Sequence, residues 1–171
     1  MVKFFIGITA VLLFLLEPIF ALFSPFELNG NLVYIAPRFL ILYLIFLSIY
    51  SSRKQAILYG LIFGLLYDVF YIDIIGLYTI LYPLVCYVAG AIAKVVHQHL
   101  IISTFISLLL IAGLEFVVYQ FNFLIGLTSM TMVDFGTHRL IATLLANLLF
   151  VAILVWVFKY LINIRVFSEN A

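Results

Sequence analysis

Five ionisable residues, Glu17, Arg38, Asp68, Glu115 and Arg139, stand inside otherwise apolar stretches of this chain. A charge in a low-dielectric interior is costly unless it is paired or solvated, so each needs a partner or a function. Residues three or four apart share a helix face, and that spacing recurs around two of the five. Ser103, Ser107, Glu115, Tyr119 and Asn122 form one such stripe, and Arg139, Thr143 and Asn147 another. Two readings are open. Either the charges form a satisfied structural network, for example Glu115 with Arg139 or Asp68 with Arg38, or Glu17, Arg38, Glu115 and Arg139 together make a polar site for a ligand or partner.

The residues that would turn such a site into an enzyme are absent. Hydrolysis within a membrane needs an activated nucleophile or a metal-bound water, and there is no H-E-x-x-H, paired-glutamate motif or serine elbow. Catalysis is therefore not expected. His97 and His99, two apart, would point to nearly opposite sides of a helix, which suits interfacial polar residues better than a shared metal. His138 follows Asp134 by four and precedes Arg139, a pattern read as helix-end structure because a neighbouring cation spoils a metal site. Cys86 is the single cysteine, so no internal disulfide can form, and its apolar setting suits a buried thiol. No phosphate-binding G-x-x-x-x-G-K-[ST] loop occurs either, and neither cofactor nor metal is expected. A net charge of +1 with no basic run argues against nucleic acid.

The elements that carry these residues follow from composition, for 68% of the 171 residues are hydrophobic and only 9% charged, which no soluble fold could bury. A spanning helix takes about 20 residues, so the chain reads as one all-α transmembrane domain, 1–171, a bundle of about six helices. The expected spans are roughly 4–23, 32–50, 55–71, 74–96, 100–121 and 139–161. The first resembles a signal peptide after Lys3, but Glu17-Pro18 interrupts it and no A-x-A site follows, so it is expected to be retained. Turn chemistry fills 24–31 and a less regular stretch holds Gly126, Asp134 and Gly136. Uninterrupted apolar runs favour helices over a membrane barrel, whose strands alternate. With both termini in the cytoplasm, Lys3, Arg53, Lys54, Lys94, Lys159 and Arg165 lie inside, six of the eight basic residues. All five intramembrane charges then fall in the outward halves of their helices. The aromatics, Trp156 among them, are read as interfacial anchors and packing.

Small residues mark a contact face. Gly60 and Gly64, four apart, allow close backbone approach, and another step of four brings Asp68 to the same face. Gly76, Thr79, Pro83, Cys86 and Gly90 make a comparable stripe in the fourth span. The two stripes are expected to pack on each other, with a partner interface as the alternative.

Here a resemblance enters. Gly60-Leu61-Ile62-Phe63-Gly64-Leu65-Leu66-Tyr67-Asp68, followed by Gly76-Leu77-Tyr78-Thr79-Ile80-Leu81-Tyr82-Pro83, resembles the third and fourth spans of the MreD family of bacterial rod-shape-determining membrane proteins. Gly60, Gly64, Asp68 and Gly76 match its pattern; Asp73 is outside it. The resemblance implies a non-catalytic scaffold of cell-wall elongation in the cytoplasmic membrane, in contact with MreC and lipid. Through them it would be linked to MreB filaments, a peptidoglycan glycosyltransferase and a penicillin-binding transpeptidase. The chain is also similar in size and span number to the substrate-binding membrane subunit (S-component) of energy-coupling-factor vitamin transporters. In that alternative, or in a lipid carrier, the charged cluster would be the ligand site.

Overall fold

With no water to satisfy their peptide groups, long apolar runs close their hydrogen bonds within helices. The computed structural model describes residues 2–28, 31–72, 74–96 and 99–153. Asp73, His97, Trp156, Lys159, Arg165 and the end of the sixth expected span lie outside the described residues, as do the side chains of Lys3 and Lys94.

Six helices follow in order: α1 (Val2–Ala21), α2 (Phe39–Tyr50), α3 (Arg53–Tyr67), α4 (Leu77–Val96), α5 (Leu100–Leu124) and α6 (Met132–Ile153). A π-helical turn, Asp68–Ile72, extends α3, and another, Phe135–Leu140, interrupts α6. Three helical stretches, Arg53–Ile72, Leu100–Leu124 and Met132–Ile153, are long and apolar enough to cross a membrane. The described parts of the others give the shorter apolar helices Phe5–Ala21, Phe39–Tyr50 and Leu77–Ala93. The chain is thus an all-α membrane protein apart from one small hairpin, β1 (Phe26–Leu28) with β2 (Asn31–Val33), where only turn chemistry was expected.

The axis of the bundle is α2, whose residues from Phe39 to Ile49 are all buried. A helix apolar on every side is suited to be covered by neighbours or by lipid, and here neighbouring helices cover it. Phe39 packs between Phe20 of α1 and Phe150 of α6, with ring centroids 5.2 and 4.1 Å away. Lower down, Ser48 donates to the Cys86 carbonyl of α4 at 2.7 Å and the Tyr50 hydroxyl to Ser103 of α5 at 2.9 Å. Cys86 is itself buried.

The second span differs from its expectation as a continuous helix over 32–50. Its first part is strand β2, followed by a non-helical stretch from Tyr34 to Arg38, and helix begins only at Phe39. Pro37 explains the break, because it has no amide to donate and disfavours helical geometry at Ala36. The sixth helix also starts earlier than position 139, at Met132, behind a Thr131 cap whose hydroxyl accepts from the Asp134 amide. Asp134 and Gly136 are therefore helical rather than part of an irregular stretch.

Candidate functional site

Buried non-helical backbone must find its hydrogen bonds elsewhere in the protein, and four amides and one carbonyl of the 34–38 stretch do. Tyr34 N–H donates to the His138 carbonyl (2.8 Å), Ile35 N–H to Ser24 Oγ (2.8 Å), Ala36 N–H to Thr143 Oγ1 (3.1 Å) and Arg38 N–H to Asn147 Oδ1 (3.0 Å). Asn147 Nδ2 returns a bond to the Ala36 carbonyl at 3.3 Å. The polar stripe of α6 therefore serves as a template for this broken span. Its two members four apart, Thr143 and Asn147, meet residues two apart on the non-helical stretch.

That template delivers Arg38 to the centre of the bundle with 4% of its surface exposed. Its guanidinium reaches four other helices. Nε donates to Glu115 Oε1 on α5, Nη2 to the Tyr78 hydroxyl on α4 (2.7 Å), and Nη1 to the Tyr67 hydroxyl on α3 (3.2 Å). Nη1 also lies 3.9 Å from Glu17 Oε1 on α1. The Tyr67 hydroxyl in turn donates a hydrogen bond to Glu17 Oε1 at 3.2 Å, while Glu17 Oε2 accepts from the Leu40 amide at the start of α2 at 3.4 Å. Arg139, turned inward from the π-helical part of α6, closes the group with Nη2 3.3 Å from Glu115 Oε2. Two carboxylates thus face two guanidinium groups with no net charge. Arg38 also lies 5.1 and 5.6 Å from the Tyr78 and Tyr67 ring centroids, within cation–π range.

Glu17, Arg38, Glu115 and Arg139 therefore lie together, and Glu115 pairs with Arg139. The suggested pairing of Asp68 with Arg38 is corrected. Asp68 is fully buried, and its carboxylate instead accepts from the amides of Gly76 (2.9 Å), Tyr78 (2.8 Å) and Thr79 (2.9 Å) and from the Thr79 hydroxyl (2.7 Å). An anion at the amino end of α4 satisfies amides that have no partner within the helix and complements the helix dipole. Gly76, at φ +118°, makes the turn that brings these amides round to Asp68. Tyr78 links the two polar groups, its amide on Asp68 and its hydroxyl on Arg38.

Gly60 and Gly64 face α4. A methyl group at Gly64 would lie 2.8 Å from the Tyr78 carbonyl carbon, and one at Gly60 3.1 Å from the Pro83 nitrogen. This small-residue face is filled by the chain's own fourth helix, so it has no room for a partner helix.

Tyr67 and Tyr78, absent from the charge-based list of candidates, are first neighbours of Arg38; both flank residues of the Gly/Asp pattern, which was the available signal. The Tyr82 hydroxyl and Arg139 Nε are buried without a hydrogen-bond partner among the described residues. Asp134 and His138 lie 3.7 Å apart at the start of α6, in a helix-end pair. Two clefts open near the hairpin. One is lined by Leu32, Tyr34, Thr128, Asp134 and His138, the other by Phe20, Phe23, Phe26, Pro37 and Phe39. The charged cluster does not line either of these two clefts.

Comparison with known proteins gives the same pattern a family. A family model described as rod shape-determining protein MreD matches residues 1–164. Rod shape-determining protein MreD of Bacillus subtilis is 36% identical over 159 residues, covering 93% of this chain and 92% of that protein. Cell shape-determining protein MreD of Streptococcus pneumoniae is 29% identical over 155 residues, covering 85% of this chain and 92% of its own. No solved structure matches the chain. With the match running through the broken second span, the Gly60/Gly64 packing face and the Asp68 cap, the chain belongs to the MreD family of bacterial rod shape-determining membrane proteins.

Proposed function

We propose that this chain is a non-catalytic scaffold of the cell-wall elongation machinery that binds MreC and, through it, helps to position MreB filaments, a peptidoglycan glycosyltransferase and a penicillin-binding transpeptidase. The observation that supports this reading best is the closure of the intramembrane charges. Glu17, Arg38, Asp68 and Glu115 are all buried and all bonded to the protein itself, which leaves no acid or base among them to meet a substrate. A network that binds α1 to α6 around one arginine suits a rigid frame.

The Gly60/Gly64 face is occupied, so the contact for an MreC helix is assigned to another surface. Large apolar side chains such as Leu12, Leu15 and Ile19 of α1 and Phe105 and Leu109 of α5 are exposed and suit lipid or a partner helix. The proposed topology is six passes with both termini cytoplasmic in the inner membrane. It places Arg53 and Lys54 inside, in accord with the positive-inside rule, and the hairpin outside.

Mild cross-linking in native membranes, followed by purification through a tag on this chain, tests the reading. MreC and wall-synthesis enzymes should be recovered with it. Recovery of transporter ATPases and a coupling subunit in their place would overturn it.

A further inference from the structure

At the end of the bundle away from the hairpin, the turn from α2 into α3 carries Arg53 and Lys54. No acidic residue precedes Glu17, and none lies between Glu27 and Asp68 or between Asp73 and Glu115. The described helices therefore bring no carboxylate to that end to oppose its cations.

Arg53 is nonetheless held in one place. Its guanidinium carbon lies 3.8 Å from the centroid of the Tyr87 ring on α4, a cation–π stack. Its aliphatic stem crosses α4 at Gly90, where a methyl group would lie 2.8 Å from Arg53 Cγ and Cδ and 2.7 Å from Ser48 Oγ. Gly90, the last member of the small-residue stripe of α4, is thus the gap that admits this arginine. Among the described residues the guanidinium takes part in no hydrogen bond or ion pair. Stacking engages the face of the ion and leaves the N–H donors at its edge free.

An arginine at a helix end ordinarily extends toward water, whereas this one is laid back on the flank of the bundle. Tyr87 is 54% exposed, and Leu84 and Ile80 of the same helix are exposed as well. Spacings of three and four put the three on one outward face. An apolar track therefore leads out of the hydrocarbon to an oriented, unpaired cation, with exposed Lys54 next in the chain.

We propose that Arg53 and Tyr87 form a seat for the phosphate of an anionic phospholipid whose acyl chain lies along Leu84 and Ile80. The guanidinium edge donates to the phosphate oxygens and Lys54 adds charge, while Tyr87 and Gly90 are positioning residues. Arg53 and Lys54 take no part in the charged network, so the seat stands or falls independently of the scaffold reading and of MreC being the partner.

The test titrates the full, delipidated chain in detergent with phosphatidylglycerol or phosphatidylcholine of identical acyl chains and counts bound lipid by native mass spectrometry. The parent chain should prefer phosphatidylglycerol by about fivefold or more. Arg53→Gln should abolish the preference, and Lys54→Gln should lower it less. Tyr87→Leu should lower it at unchanged net charge, whereas Tyr87→Phe, which keeps the ring, should retain it. The proposal is overturned if the parent shows no preference, if Arg53→Gln keeps it, or if Lys54→Gln matches the effect of Arg53→Gln. It is equally overturned if Tyr87→Leu, melting at the parental temperature, leaves the preference unchanged. Displacement of bound phosphatidylglycerol by a soluble glutamate-rich peptide, or by inorganic phosphate at equal concentration, would assign the cation to another ligand and overturn it too.

Discussion

Replacing Arg38 with methionine keeps much of the side-chain volume and removes the one cation that faces Glu17, Glu115, Tyr67 and Tyr78 together. Arg139, 29% exposed, then remains beside Glu115, while Glu17 loses its guanidinium neighbour. An uncompensated carboxylate is left in a dry interior. Breaking a buried pair from one side costs about 3–5 kcal/mol, whereas replacing both partners by apolar groups is often close to neutral. Arg38→Met and Glu115→Leu should each lower the melting temperature of the purified protein by on the order of 10 °C. The double variant leaves Glu17 without Arg38 and Arg139 without Glu115, and should lose less than the sum of the two single losses because Arg38 and Glu115 no longer orphan each other. The assay is a double-mutant cycle on thermal or denaturant unfolding in one fixed detergent or nanodisc. Additive losses in the double variant, or single variants within about 0.5 kcal/mol of the parent, would refute the argument that these charges stabilise one another.

Four further outcomes follow from the same geometry, each read by melting temperature in the same membrane mimic. Gly64→Ala forces a methyl group into the backbone at Tyr78 and should cost about 1–3 kcal/mol, more than Gly60→Ala, while Gly113→Ala, with nothing within 4 Å of the added carbon, should be neutral or stabilising. Asp68→Ala strips three amides of their acceptor and should cost about 2 kcal/mol or more, with Asp68→Asn falling in between. Tyr78→Phe should cost about 1–2 kcal/mol because its hydroxyl holds Arg38, whereas Tyr82→Phe should cost nothing, since its hydroxyl has no partner among the described residues. Asn147→Leu should cost about 2–3 kcal/mol by orphaning both the Arg38 amide and the Ala36 carbonyl, and a loss no larger than that of an exposed substitution such as Leu145→Ala would count against the template role of α6.

Much of this architecture can be read from an apolar chain because its few polar residues are conspicuous. Glu17, Arg38, Glu115 and Arg139 stand out for that reason, and the four-residue spacing of Thr143 and Asn147 marks the face that receives the second span. Gly60 and Gly64 mark the packing of α3 on α4. The failures have physical causes. Hydropathy favours a continuous helix over 32–50, since it does not register that Pro37 breaks the run or that distant side chains on α6 can replace helical hydrogen bonds. Asn29-Gly30, a strong hairpin dipeptide, was legible as a turn, yet the pairing of three-residue strands beside it depends on tertiary support. Asp68 looked like an ionic partner for Arg38 because charge is visible in a sequence, whereas free amides at a helix start are visible only once the turn at Gly76 is placed. The π-helical turn that directs Arg139 inward has no sequence signature.

The central claim is that the buried charges hold a frame together and do no chemistry. Its most direct test is the shape of rod-forming cells that lack their own family member and are complemented with Arg38→Met/Glu115→Leu at membrane levels equal to the parent chain. Rods of parental width are expected, because the frame closes without that ion pair. Rounded or swollen cells at equal membrane levels, with the double variant as stable as the cycle requires, would contradict it and make Arg38 and Glu115 participants in function rather than in structure.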